Sequence, residues 1–161
     1  MTEIKSLQEF FSDTETRPYF SRRPVNIPGD YRTTWRLAMV CILLHRGRAN
    51  TLSMPHLHVL WWAANSSTSR ELFLRWLAGT RAPDELLVRF DPSLIISVNL
   101  AIGERLAARE NNGNIRLTSA GESFASAVER NDETLVAEKN FLDQLPRRIT
   151  QQQIRDLLEW R

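Results

Sequence analysis

What this 161-residue chain has little of narrows its chemistry first. It has a single cysteine, Cys41, so no disulfide can close within the chain, and a reducing compartment fits. Cys41 sits inside the apolar run Leu37–Leu44, where a thiol is expected to act as a small buried hydrophobe rather than a nucleophile. That run is the longest in the chain and falls far short of the roughly 20 residues that a membrane-spanning helix needs. The opening Thr2-Glu3-Ile4-Lys5 has no basic region leading into an apolar segment, so no signal peptide is visible. A cytoplasmic protein without membrane contact is expected. There is no phosphate loop, dinucleotide fingerprint or Gly-x-Ser-x-Gly elbow, and carboxylates are scattered rather than paired. An enzyme is therefore not expected, nor a cofactor or metal.

Lysine is also scarce: Lys5 and Lys139 are the only two among 21 cationic residues. The planar fork of arginine suits phosphate and carboxylate recognition, although a compositional bias of the source genome would leave the same trace. Carboxylates are absent from Tyr31 to Ser69, a stretch that holds Arg32, Arg36, Arg46 and Arg48 with His45, His56 and His58. From Leu117 onward the balance leans acidic. The net charge of +2 thus conceals a basic half and a mildly acidic half. With 42% hydrophobic and 25% charged residues, the chain has an ordinary globular composition and enough apolar material for one core.

Residues 1–30 read as an arm. Ile4, Leu7, Phe10 and Phe11 share one helical face and suggest a short docking helix, after which Pro18, Pro24 and Pro28 exclude regular structure. Residues 31–80 read as a trihelical core. Tyr31 to His45 is apolar almost all round, stopped by a left-handed Gly47; Ser53 caps a second helix with Leu57, Leu60, Trp61 and Ala64 inward. A Thr68–Glu71 capping box opens the third, with Leu72, Phe73, Trp76 and Leu77 inward and Gly79 closing it. Residues 81–130 read as strand, helix and wing. Leu86, Val88 and Phe90 alternate as a short strand, and Asp91-Pro92 opens a helix to about Arg109 with Ile95, Val98, Ile102 and Leu106 inward. Asn111 to Asn114 turns into a strand at Ile115–Leu117, and a helix follows with Phe124, Ala127 and Val128 inward, capped by Thr118 or by Ser119, the latter boxed with Glu122. Residues 131–161 read as C-terminal helices from about Asp132 to Leu145 and from Thr150 onward. The fold expected is mainly α with a small two- or three-stranded β element.

The block Gly103–Gly121 is the most specific local pattern: helix end, Asn-rich turn, strand, then Leu117-Thr118-x-x-Gly121 opening a new helix. It resembles the wing of winged-helix domains, although any helix–hairpin–helix packing uses the same turn chemistry. Winged helices commonly meet DNA through the helix before the wing and the wing itself, which makes Arg105, Arg109 and Arg116 candidate contacts. Glu104 and Glu110 dilute that patch, and solvated surface arginines are the plain alternative. Arg46 and Arg48 are further candidates, as is Trp62, which turns away from the Trp61 stripe to serve as an exposed anchor or a second core face. His56-x-His58 on a helix would aim its rings about 200° apart, so it cannot chelate one ion.

The stretch Trp35–Leu44, His45-Arg46-Gly47-Arg48-Ala49-Asn50, Leu52-Ser53 and Leu57–Trp62 resembles the middle components of bacterial ABC-three-component anti-phage defence systems, the group that includes Lamassu-type systems. Val88-Arg89-Phe90-Asp91-Pro92, Leu117-Thr118-x-x-Gly121 and Val136-Ala137-Glu138-Lys139 extend the likeness over roughly residues 31–145. The resemblance implies a non-enzymatic winged-helix accessory subunit beside an SMC-like ATPase and an effector, commonly a nuclease, with DNA met directly or through the complex. A stand-alone winged-helix DNA-binding transcriptional regulator is the alternative. A minor enzyme of unknown type is a third, and would require a pocket with perturbed titratable groups.

Overall fold

The computed structural model describes residues 29–80, 88, 90–146 and 149–158, with side chains from Thr33 onward. The expected arm and docking helix therefore lie outside the described residues. So does most of the expected Leu86–Phe90 strand, of which Val88 and Phe90 are described and belong to no strand.

One helix organises the rest. Helix α1 (Gly29–Arg46) buries every side chain from Ala38 to Leu44 and packs against later helices and strands along the chain. A helix enclosed on most sides needs an apolar side chain at nearly every position, which is what this run supplies. Its end differs from expectation. Gly47 is extended (φ −71°), and the left-handed residues are Ala49 (φ 54°) and Asn50 (φ 56°), in the short 3-10 turn Arg48–Asn50. Gly47 is needed for closeness instead: a Cβ there would lie 2.4 Å from the Thr51 carbonyl oxygen.

Strand β1 (Thr51–Leu52) leads to α2 (Met54–Asn65), capped by Ser53 as its sequence suggests. Helix α3 (Ser67–Leu77) follows after the single residue Ser66. Ser66 rather than Thr68 caps it, accepting the Ser69 N–H at 3.0 Å, while Glu71 pairs with Arg75 one turn on. Gly79 (φ 71°) then closes the helix in the left-handed conformation that only glycine adopts freely.

Asp91 caps α4 (Pro92–Gly103), after which β2 (Ala107–Arg109) and β3 (Ile115–Leu117) form a hairpin. The sheet runs β1-β3-β2, antiparallel throughout, with Thr51 opposite Arg116 and Ala108 opposite the same residue on the other side. Helices α5 (Ser119–Arg130), α6 (Val136–Gln144) and α7 (Gln151–Leu158) complete the described chain. The molecule is mainly helical with a small three-stranded antiparallel sheet, a winged-helix-like arrangement in which α4 precedes the wing.

Three expectations are corrected around α4 and α5. Helix α4 stops at Gly103, not near Arg109, because Arg105 turns left-handed (φ 58°) and the Leu106 N–H reaches back to the Ala101 carbonyl at 2.8 Å. This is a Schellman closure with arginine where glycine is usual. The buried face of α4 is Leu94, Ser97, Val98 and Ala101, a rotation that leaves Ile95 outside. In α5 Thr118, one of the two caps its sequence offers, takes the role, and the buried residues are Gly121, Ala125 and Val128, with Ala127 exposed instead of inward.

Candidate partner-binding surface

The Leu117-Thr118-x-x-Gly121 stretch works as a structural clasp. Leu117 is buried in the core. The Thr118 hydroxyl donates to the Arg105 carbonyl at 2.6 Å and accepts the Gly121 N–H at 3.1 Å, and its own N–H donates to Leu106. One side chain thereby caps α5 and holds the strained turn that ends α4. A Cβ on Gly121 would fall 1.9 Å from the Leu106 carbonyl oxygen, so α5 can approach that turn only where no side chain intervenes. The clasp sets how the wing sits on α4.

The candidate arginines are thereby separated from the helix. Arg105 is in the closing turn, exposed, and Arg109 ends β2, also exposed. Arg116, in the middle of β3, points outward and lies 3.9 Å from Glu110. Arg105 and Arg109 do not end α4 as expected, because the chain has left the helix by Glu104, whereas Arg116 lies in the wing strand where its sequence placed it. Arg46 has a different setting. It donates to both Glu129 oxygens at 3.2 Å and lies 2.8 Å from Asp143, tying the last turn of α1 to α5 and α6. Arg48 is exposed at the start of the 3-10 turn, with no ion-pair partner among the described residues. Trp62 is half-buried against the core, and its neighbour Trp61 donates its indole N–H to Asp91 at 3.0 Å.

A feature that periodicity alone did not disclose emerges on α4. Its twelve residues, Pro92 to Gly103, contain no charge, yet Ile95 is 47% exposed and Ile96 63% exposed. Just before the helix, Phe90 is 60% exposed with its ring edge-on to His58 at 4.7 Å. An adjacent pair of outward isoleucines on a charge-free helix is the kind of apolar surface that marks association.

The histidines form no metal site. Among the described residues no group of three or more His, Cys, Asp or Glu side chains is placed to hold an ion. The His56 ring bridges Ser53 Oγ (2.8 Å) and the Ile149 carbonyl (3.3 Å). A carbonyl can only accept, so Nε2 carries the proton and Nδ1 accepts from the Ser53 hydroxyl. Burial holds His56 below the usual histidine pKa, against the opposing pull of the Ile149 carbonyl. Burial lowers His58 too, against the charge of Asp91. Burial would raise Asp91, but hydrogen bonds from Ser93 and Trp61 and the charge of Arg36 hold its carboxyl below the ordinary range. Cys41 is buried, and its thiol is pushed up to about 12 by that burial. Such a thiol has almost no thiolate at neutral pH.

Comparison with family models, with curated proteins and with solved structures returns no match to this chain. Among the described residues no helix is long and apolar enough to cross a membrane.

Proposed function

We propose that this chain is a non-enzymatic accessory subunit of a multi-protein bacterial defence complex, docking an SMC-like ATPase and its effector through protein contacts. The observation that carries the protein-docking half of this reading is the charge-free outer face of α4. In a winged-helix-like fold, the helix before the wing is the one that would enter a DNA groove. DNA binding draws on cations set against phosphates, and α4 offers none. It presents Ile95 and Ile96 instead, whose burial against an apolar partner surface would contribute about 2 kcal/mol. The defence setting and the ATPase partner rest on the family resemblance of residues 31–145, and a cytoplasmic location follows from that setting.

One observation favours the second reading, a stand-alone DNA-binding regulator. Arg105, Arg109 and Arg116 are all exposed around the wing. The two readings separate in a pull-down of the tagged chain co-expressed with its gene neighbours. Recovery of an SMC-like ATPase is the result expected. Recovery of the chain alone, with duplex-DNA binding that weakens steeply as salt rises, would favour the regulator.

A further inference from the structure

A cleft of about 650 Å³ opens where the 3-10 turn, β1 and the start of α2 face Leu145 and Pro146 after α6 and Ile149 to Gln151 at the start of α7. No residue of α4 lines it, so it is a second surface, independent of the docking face just described. The volume falls in the range of small-ligand and side-chain pockets.

Its chemistry has two parts. Leu52, Leu142, Leu145 and Ile149 give it apolar walls, and the buried Leu60 lies at its base. Arg48 adds an exposed guanidinium on the rim. Gly47 is pressed against Thr51, and two successive residues, Ala49 and Asn50, are held left-handed. The other cation of the cleft, Arg46, is matched by Glu129 and Asp143, and Asp143 is the one carboxylate among the lining residues. Among the described lining residues Arg48 is thus the arginine without an ion-pair partner. The opposite wall is anchored by His56, which joins the Ser53 cap to the Ile149 carbonyl.

Strand addition does not suit this site. The outer edge of β1 is closed by its own lead-in, since the Thr51 N–H donates to the Arg48 carbonyl and the Thr51 carbonyl oxygen abuts Gly47. What fits is a side chain entering from above with a carboxylate beside it.

We propose that this cleft binds a short acidic–aliphatic segment of a partner protein, seating a leucine-like side chain on the apolar walls and an adjacent carboxylate on Arg48. Charge complementarity selects the acidic residue, and the aliphatic lining selects its neighbour. Asn114, whose side chain makes no hydrogen bond among the described residues, lies on the same rim and supplies a second donor. The fork geometry of arginine makes Arg48 specific, because a bidentate carboxylate contact needs its two parallel N–H groups.

The test is a nuclear magnetic resonance titration of the full chain with acetyl-Asp-Leu-Asp-Leu-amide, with acetyl-Lys-Leu-Lys-Leu-amide as the comparison. The expected result is amide shifts confined to Arg48, Thr51, Leu52, Asn114 and Gln151, saturable with the acidic peptide only. Arg48→Glu should weaken binding about tenfold or more, and Arg48→Lys by less, with both variants showing unperturbed spectra elsewhere. No shifts at millimolar acidic peptide would overturn the proposal, as would equal binding of the lysine peptide or shifts centred on Ile95 and Ile96. A cleft that binds neither peptide would leave the docking role proposed for the α4 face standing.

Discussion

Helices α1 and α4 are both apolar in sequence, and they have opposite fates. In α1 the run Ala38–Leu44 is wholly enclosed by α4, α5, α2 and β3. In α4 only Leu94, Ser97, Val98 and Ala101 are buried, while Ile95 and Ile96 face outward. The buried face of α4 thus combines Leu94 with three smaller residues and leaves its two adjacent isoleucines outside. A chain selected for solubility alone would place polar residues there, as the exposed faces of α3 and α5 do. Apolar content in α1 serves folding; on the outer face of α4 it lies outside the core and is the surface on which the proposed docking rests.

Substitutions can break that contrast, beginning with the largest effect. Leu43→Ala should lower unfolding free energy by about 2–5 kcal/mol, since a fully enclosed site cannot collapse around the lost volume. Chemical denaturation would measure it. Gly121→Ala comes next, at about 1–3 kcal/mol or more, because the new methyl must push α5 off the Leu106 carbonyl. Circular dichroism melts should show the loss, and a melting temperature unchanged from wild type would refute the clasp.

A smaller effect is expected from pH. His56 and His58 both titrate below their ordinary value of 6.5 in the folded chain, burial being the main cause. Above 6.5 the rings are neutral in both states and their environment is fully stabilising. As pH falls below it, the unfolded chain takes protons that the folded chain resists, so stability declines as the solution is made more acidic. Denaturation midpoints across that window would follow the decline, and His58→Gln should shrink it. At the bottom of the ranking, Ile96→Ser should change stability by no more than about 0.5 kcal/mol in either direction.

The two helix ends closed by Schellman geometry show what a sequence reveals and what it withholds. The end at Gly79 was legible, because glycine in that position advertises a left-handed residue. The end at Arg105 was not, because an arginine takes the same conformation and Thr118, thirteen residues on, holds it through a hydrogen bond. Caps followed the same logic. Ser53 and Asp91 stood alone and were read correctly; Ser66 displaced the Thr68–Glu71 box by accepting the N–H three residues on, and of Thr118 and Ser119, both offered by the sequence, Thr118 takes the cap. The rotated face of α4 was hidden by the assumption that the most apolar residues turn inward. The cleft around Arg48 was beyond sequence reading altogether, since its walls join Leu52 to Ile149 across nearly the whole described chain.

The measurement that tests the central claim most directly compares two variants of the chain co-expressed with its gene neighbours. One is Ile95→Asp with Ile96→Asp; the other is Arg105→Glu, Arg109→Glu and Arg116→Glu together. The account predicts that the isoleucine variant folds normally and loses the co-purifying ATPase, while the arginine variant retains it. Retention by the isoleucine variant, with loss in the arginine variant, would contradict it.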